Sequence, residues 1–176
     1  GFNDLDYKTA GLQAGDLIII AARPSMGKTA LSLNIAEYAA IKTGKAAAVF
    51  SMEMSSSQLA FRLISSLGRI NQQHLRTGEL ADEEWPRVTS AITMLSEAKI
   101  FIDDTPSLSP LELRARARRL KRQKGMDLLV IDYIQLLQGS SRRSQENRVQ
   151  EVTEITTNLR KSAMEDVVRT FVPADS

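Results

Sequence analysis

The chain has 176 residues, of which 43% are hydrophobic and 25% charged, the composition of one ordinary globular domain with room for a sizeable core. It has no cysteine, which excludes a disulfide framework, a thiolate nucleophile and a thiolate metal site and fits a reducing compartment. The net charge of +2 is too small to argue a nucleic-acid surface by itself. No apolar run approaches the ~18 residues a membrane-spanning helix needs, so no membrane association is expected. The opening Gly1-Phe2-Asn3-Asp4-Leu5-Asp6 has acids where a secretory leader has basic residues. It also lacks Met, as expected of a segment excised from a longer protein.

In chain order, residues 1–16 read as an irregular lead-in with turns at Gly11 and Gly15. Residues 17–21 are a continuous apolar run, the pattern of a parallel strand covered on both faces. A compact loop ending in Gly27-Lys28-Thr29 follows, and then a helix with Leu31, Leu33, Ile35, Ala36 and Ala39 on its apolar positions, running to about Lys42 and closed by Thr43-Gly44. Strand, loop, then helix is the context of a phosphate-binding P-loop, whose pattern is G-x-x-x-x-G-K-[ST]; Ala22 stands in place of the first Gly. Backbone amides of Ser25, Met26, Gly27, Lys28, Thr29 and Ala30 are expected to converge on one anion, aided by the helix dipole. Gly27 admits a close backbone approach, Lys28 supplies an ammonium for the outer phosphates, and the Thr29 hydroxyl suits Mg²⁺. The blander alternative is a strand–helix junction with a solvated lysine.

Residues 46–50 form a second apolar run, leading into Ser51-Met52-Glu53-Met54. Ser55-Ser56-Ser57-Gln58 then looks like a helix start, continued by Leu59, Arg62, Leu63 and Leu67. Glu53 therefore falls just beyond the carboxyl end of a strand, the edge at which open α/β sheets bind ligands. Residues 69–81 are polar and turn-rich, and His74 has no companion ligands that would argue for a metal. Residues 82–97 read as a helix with an apolar stripe of Trp85, Val88, Ile92 and Leu95, in which Trp85 is assigned to the core. A third strand over 99–102 ends in Asp103-Asp104; these acids either cap the loop or hold a cation, and capping is the preferred reading.

Ser109-Pro110-Leu111-Glu112 opens a helix with an N-cap Ser, Pro at the first position and Glu in the first turn. Leu113, Ala117 and Leu120 form its buried stripe. Arg114, Arg116, Arg118, Arg119, Lys121, Arg122 and Lys124 crowd the remainder, either as a solvated face or as a contact for nucleic-acid phosphates or a neighbouring subunit. The fourth strand ends in Asp132, the Walker-B position from which an acid holds Mg²⁺ opposite the P-loop hydroxyl. A polar loop over 139–144, a helix over 145–164 and a possible strand over 167–172 complete the chain, leaving little room for the further strands of a full nucleotide-hydrolysing core.

The alternation specifies an α/β fold with a largely parallel sheet flanked by helices. Five blocks then occur in order: Ala21-Ala22-Arg23-Pro24-Ser25-Met26-Gly27-Lys28-Thr29, Phe50-Ser51-Met52-Glu53-Met54, Phe101-Ile102-Asp103-Asp104, Arg114-Ala115-Arg116-Ala117-Arg118-Arg119-Leu120 and Ile131-Asp132-Tyr133-Ile134-Gln135-Leu136. Over roughly residues 1–162 the chain resembles the carboxy-terminal motor domain of DnaB-type bacterial replicative helicases, a RecA-like P-loop NTPase core. The Ala-Arg-Pro in the P-loop is usual in that family.

The resemblance implies that Lys28 and Thr29 bind ATP phosphates and Mg²⁺, that Glu53 acts as general base, and that Asp132 completes the metal site. It also implies a cytoplasmic, nucleoid-associated bacterial homo-hexamer. Such a hexamer moves 5′→3′ on single-stranded DNA, takes an arginine finger from the neighbouring subunit, and meets primase and a helicase loader through the full-length protein. After about residue 163 the family's Gln sensor, DNA-contacting loops and arginine finger are not recognisable, so 1–176 reads as one RecA-like domain that is truncated or lacks an unobserved segment. A recombinase-like ATPase of the same fold, or a nucleotide-binding fragment with little hydrolysis, are the competing readings.

Overall fold

The computed structural model describes residues 2–13, 17–22, 26–132 and 169–175. The elements in chain order are α1 (Asn3–Thr9), β1 (Leu17–Ala22), α2 (Lys28–Glu37) running on into a π-helical turn (Tyr38–Lys42), β2 (Ala47–Ser51), α3 (Ser56–Gly68), α4 (Gln72–Thr77), α5 (Glu84–Glu97), β3 (Ile100–Asp103), α6 (Pro110–Lys124), β4 (Leu128–Asp132) and β5 (Arg169–Asp175). The five strands form one sheet in the order β1-β5-β4-β2-β3. Every pairing in it is parallel.

Strand alternation divides the core between the two faces of this sheet. Ala48 and Phe50 of β2 and Leu129 and Ile131 of β4 pack with Leu113 and Ala117 of α6. Ala47, Val49, Leu128 and Val130 point the other way and pack with Leu33 and Ala36 of α2 and Leu59 and Leu63 of α3. Because β2 and β4 are covered on both sides, they read as unbroken apolar runs and not as alternating ones. Helix α5 packs on α3. Gly68 marks the close approach, since a Cβ there would lie 2.6 Å from Ile70 Cδ1 and 3.2 Å from the Arg87 carbonyl.

Several expectations change. The lead-in is not all irregular: α1 forms with Asp4 and Asp6 in its first turn and Lys8 in its last, a charge order that complements the helix dipole, although it buries no residue. The segment read as turns contains α4, capped by the Asn71 side chain on the Gln73 amide. Trp85 is not core, being 52% exposed, and Ile92 is 50% exposed. The reason is that α5 covers another helix and needs only a narrow stripe, which Val88 and Ala91 supply. The possible strand over 167–172 forms as β5, and its place is in the middle of the sheet, pairing Leu17↔Thr170 on one side and Leu128↔Arg169 on the other. Pro173 argues against a central strand. It is accommodated because it lies opposite Ile20 of β1, beyond the Leu128–Val130 stretch where β5 meets β4. The loop over 139–144 and the helix over 145–164 lie outside the described residues.

Candidate functional site

Residue Gly27 is the N-cap of α2 and has φ 85°, in the left-handed region that favours glycine. Among the described residues, a Cβ there would meet nothing within 4 Å, so the requirement is conformational. Lys28 and Thr29 are the first two residues of α2, where backbone amides have no helical partner. Ala30 follows them in the first turn and is exposed, as is Met26 before them. Ser25 lies outside the described residues.

The neighbouring carboxylate comes from β4. Its last residue, Asp132, is 3% exposed. The Thr29 hydroxyl donates to Asp132 Oδ2 at 2.7 Å, joining residues that are 103 positions apart. Burial pushes the Asp132 carboxyl above the usual range, opposed by the Thr29 hydrogen bond and by the charges of Lys28 and Arg62. A carboxylate and a hydroxyl side by side at a helix N-terminus are hard oxygen donors for a small divalent cation. No cluster of three or more His, Cys, Asp or Glu occurs among the described residues. Two protein oxygens fit Mg²⁺, which keeps several waters and takes phosphate oxygens for its other positions.

Strand β2 brings the third group. Ser51 is paired in register with Asp132, and the Met52 amide donates to the Asp132 carbonyl at 2.8 Å. The chain then turns through residues 52–54, with Ser51 Oγ donating to the Met54 carbonyl at 2.8 Å and accepting from the Met54 amide at 3.1 Å. Glu53 is the exposed middle residue of that turn. The structure thus unites Thr29 and Asp132 directly, and carries Glu53 on a turn bonded to the backbone of Asp132. Arg62 and Ser51 also belong to this neighbourhood; nothing in their local sequence signalled it, because Arg62 of α3 acts on Asp132 by its charge and Ser51 pairs with it from the adjacent strand.

The remaining singled-out residues lie apart. Asp103 accepts from the Thr105 amide at 3.0 Å and from Arg116 at 2.8 Å, while Asp104 accepts from the Ser56 amide at 2.7 Å. Both acids therefore cap and brace, as the preferred reading held. His74 of α4 places Nδ1 3.3 Å from both Glu84 carboxylate oxygens, tying α4 to α5. Among the described residues, no helix is long and apolar enough to cross a membrane.

A parallel sheet with helices on both faces, in which Gly-Lys-Thr opens the helix after the first strand, places the chain among layered α/β folds, and its solved relatives make it RecA-like. Comparison with solved structures agrees. A solved ATPase domain superposes with a TM-score of 0.90 at 32% identity over 98% of this chain and 62% of that one. A DnaB-like replicative helicase, described with its interactions with primase, gives the same TM-score and identity over 98% and 42%. In sequence, the chain is 53% identical over 165 residues to the replicative DNA helicase DnaB of Geobacillus stearothermophilus, and 52% identical to the replicative DNA helicase DnaC of Bacillus subtilis (strain 168). Each alignment covers 94% of this chain and 36% of the relative, so the chain spans about a third of their length. The DnaB-like helicase C terminal domain family matches residues 1–171, and the chain belongs to that family. The match extends past residue 162 and into β5.

Proposed function

We propose that this chain is the motor domain of a replicative DNA helicase, which couples ATP hydrolysis to 5′→3′ movement on single-stranded DNA and to duplex unwinding during replication. The observation that carries this reading is the 2.7 Å bond from Thr29 to the buried Asp132 at the N-terminus of α2. In the proposed site the amides from Ser25 to Ala30 cradle the phosphates and Lys28 faces the outer ones. Mg²⁺ supplies charge neutralisation on the β- and γ-phosphates when bound. Thr29 and Asp132 would hold it with the hydroxyl and carboxylate oxygens that lie side by side. Glu53 accepts a proton from the attacking water as that water bonds to the γ-phosphorus and the bond to the ADP oxygen breaks, giving ADP and phosphate.

The whole of 1–176 acts as one RecA-like domain in this reading. Its setting is a hexameric ring in the bacterial cytoplasm, with an arginine finger arriving from the adjacent subunit, and with primase and a loader engaged by the full-length protein. A second reading, nucleotide binding with little hydrolysis by the isolated chain, is favoured by the exposure of Glu53, which a neighbouring subunit would have to cover.

Lys28→Ala should abolish ATP-dependent unwinding by the full-length protein, and Glu53→Gln should bind ATP normally but lose turnover. Both are read by nucleotide titration beside phosphate release. Wild-type turnover in Lys28→Ala would remove the phosphate role, and lost binding in a folded Glu53→Gln would remove the base.

A further inference from the structure

Residue Glu53 has an exposed side chain on a three-residue turn, yet a general base must be held to within a fraction of an ångström of its water. The start of the turn is fixed by the Met52 bond to the Asp132 carbonyl. Its exit leads directly into α3, whose N-cap Ser55 forms a reciprocal capping box with Gln58. That box is local: it shapes the helix end but does not attach it to the sheet.

Leu59 and Leu63 pack the body of α3 on the sheet, but its first residue is tied from 48 residues away, where Asp104 Oδ2 accepts the Ser56 amide at 2.7 Å. Asp104 directly follows β3, whose Asp103 lies in register with Phe50, one residue before the end of β2. The strand end is itself braced, since Arg116 of α6 donates to Asp103 at 2.8 Å and to Thr105 Oγ1 at 2.8 Å. The Ser56 amide and then its hydroxyl hold the Asp104 carboxyl below the usual range, so at neutral pH the bond is charge-assisted.

We propose that Asp104 is a positioning residue for Glu53, clamping the exit of the Glu53 turn to the end of β3 through the Ser56 amide. This rests on the reading of Glu53 as the base. The Arg116–Asp103–Thr105 cluster is the rigid mount, and Asp104 transmits its position to the turn.

The test is made in the full-length protein on single-stranded DNA. Asp104→Ala should lower kcat for ATP about 10- to 100-fold with KM for ATP unchanged within about twofold, because the turn is misplaced and the phosphate cradle is not. Asp104→Asn, which keeps an oxygen for the Ser56 amide, should recover most of the loss. Amide exchange should quicken at Ser56 and through the 52–55 turn, with α2 and β4 unaffected. Wild-type kcat in Asp104→Ala despite fast Ser56 exchange would overturn the proposal, as would kcat and KM changing in step. If Asp104→Ala does not fold, Asp104→Glu, which keeps the charge and displaces the oxygens, carries the same comparison. Glu53→Gln is measured alongside. If it loses turnover while Asp104→Ala does not, only the positioning role fails; if it keeps turnover, the base and the positioning role fail together.

Discussion

Burial holds the Asp132 carboxyl above the usual carboxylate range, so ionising it is harder in the folded protein than in the unfolded chain. Its folded-state pKa is raised by burial, so the folded state binds its proton more tightly than the unfolded chain does. This group's contribution to stability is therefore favourable below the ordinary carboxylate range and is lost as pH rises through the raised value. Asp132→Asn keeps an oxygen for the Thr29 hydroxyl and removes the charge. It should raise the apo Tm at neutral pH, by about 2–4 °C for each kcal/mol relieved, and the difference should vanish on acidification. It should also remove most of the stabilisation that Mg²⁺–nucleotide gives the native protein, about 2.7 kcal/mol at a hundredfold excess over Kd. Calorimetry with and without Mg²⁺ checks both. Gly27, Lys28, Thr29 and Asp132 were legible in the sequence because each motif is contiguous and ends a strand or starts a helix. The Met52–Asp132 and Asp104–Ser56 bonds were not, since they depend on which strand lies beside which.

At the scale of elements, helix starts were the most readable feature and helix environments the least. Ser109 accepts the Glu112 amide at 3.2 Å while Glu112 accepts the Ser109 amide at 2.9 Å, with Pro110 at the first helical position. This is a short-range code written in four consecutive residues. Ser109→Ala should cost about 1 kcal/mol and lower Tm by about 2–4 °C, measured by thermal unfolding. What the helix then packs against is a tertiary matter. α6 meets the sheet and buries Leu113 and Ala117; α5 meets α3, and the same periodicity leaves Trp85 and Ile92 half in solvent. Periodicity identifies an apolar face without saying how wide a partner will cover it.

For the molecule as a whole, α2 and the cationic α6 lie on opposite faces of the sheet. On α6, Arg116 is engaged with Asp103, and Lys124 sits 4.9 Å over the Phe101 ring, so part of the charge braces β3. Arg119 and Arg122 are exposed. Replacing both with Gln should leave the salt dependence of single-strand binding unchanged, as a solvated face requires. A fall in the slope by about 1.4 would instead place both on phosphates. The layered parallel fold was legible from the alternation of apolar runs and helical stripes. The strand order was not, because β5 carries Arg169, Pro173 and Asp175, a composition that argues against the middle of a sheet.

That placement of β5 has a consequence for how the domain is made. Among the described residues, β1 has no neighbour in the sheet except β5, and Leu17 pairs with Thr170. Leu17 and Thr170 are 153 positions apart, so a ribosome delivers β1 and its partner roughly 8–30 seconds apart at about 5–20 residues per second. Until then the strand that feeds the Gly27-Lys28-Thr29 turn is an unpaired apolar run, exposed to chaperones and to other nascent chains. The Gly27-Lys28-Thr29 turn therefore waits on a strand that follows it by more than 140 positions before the sheet beneath it is complete.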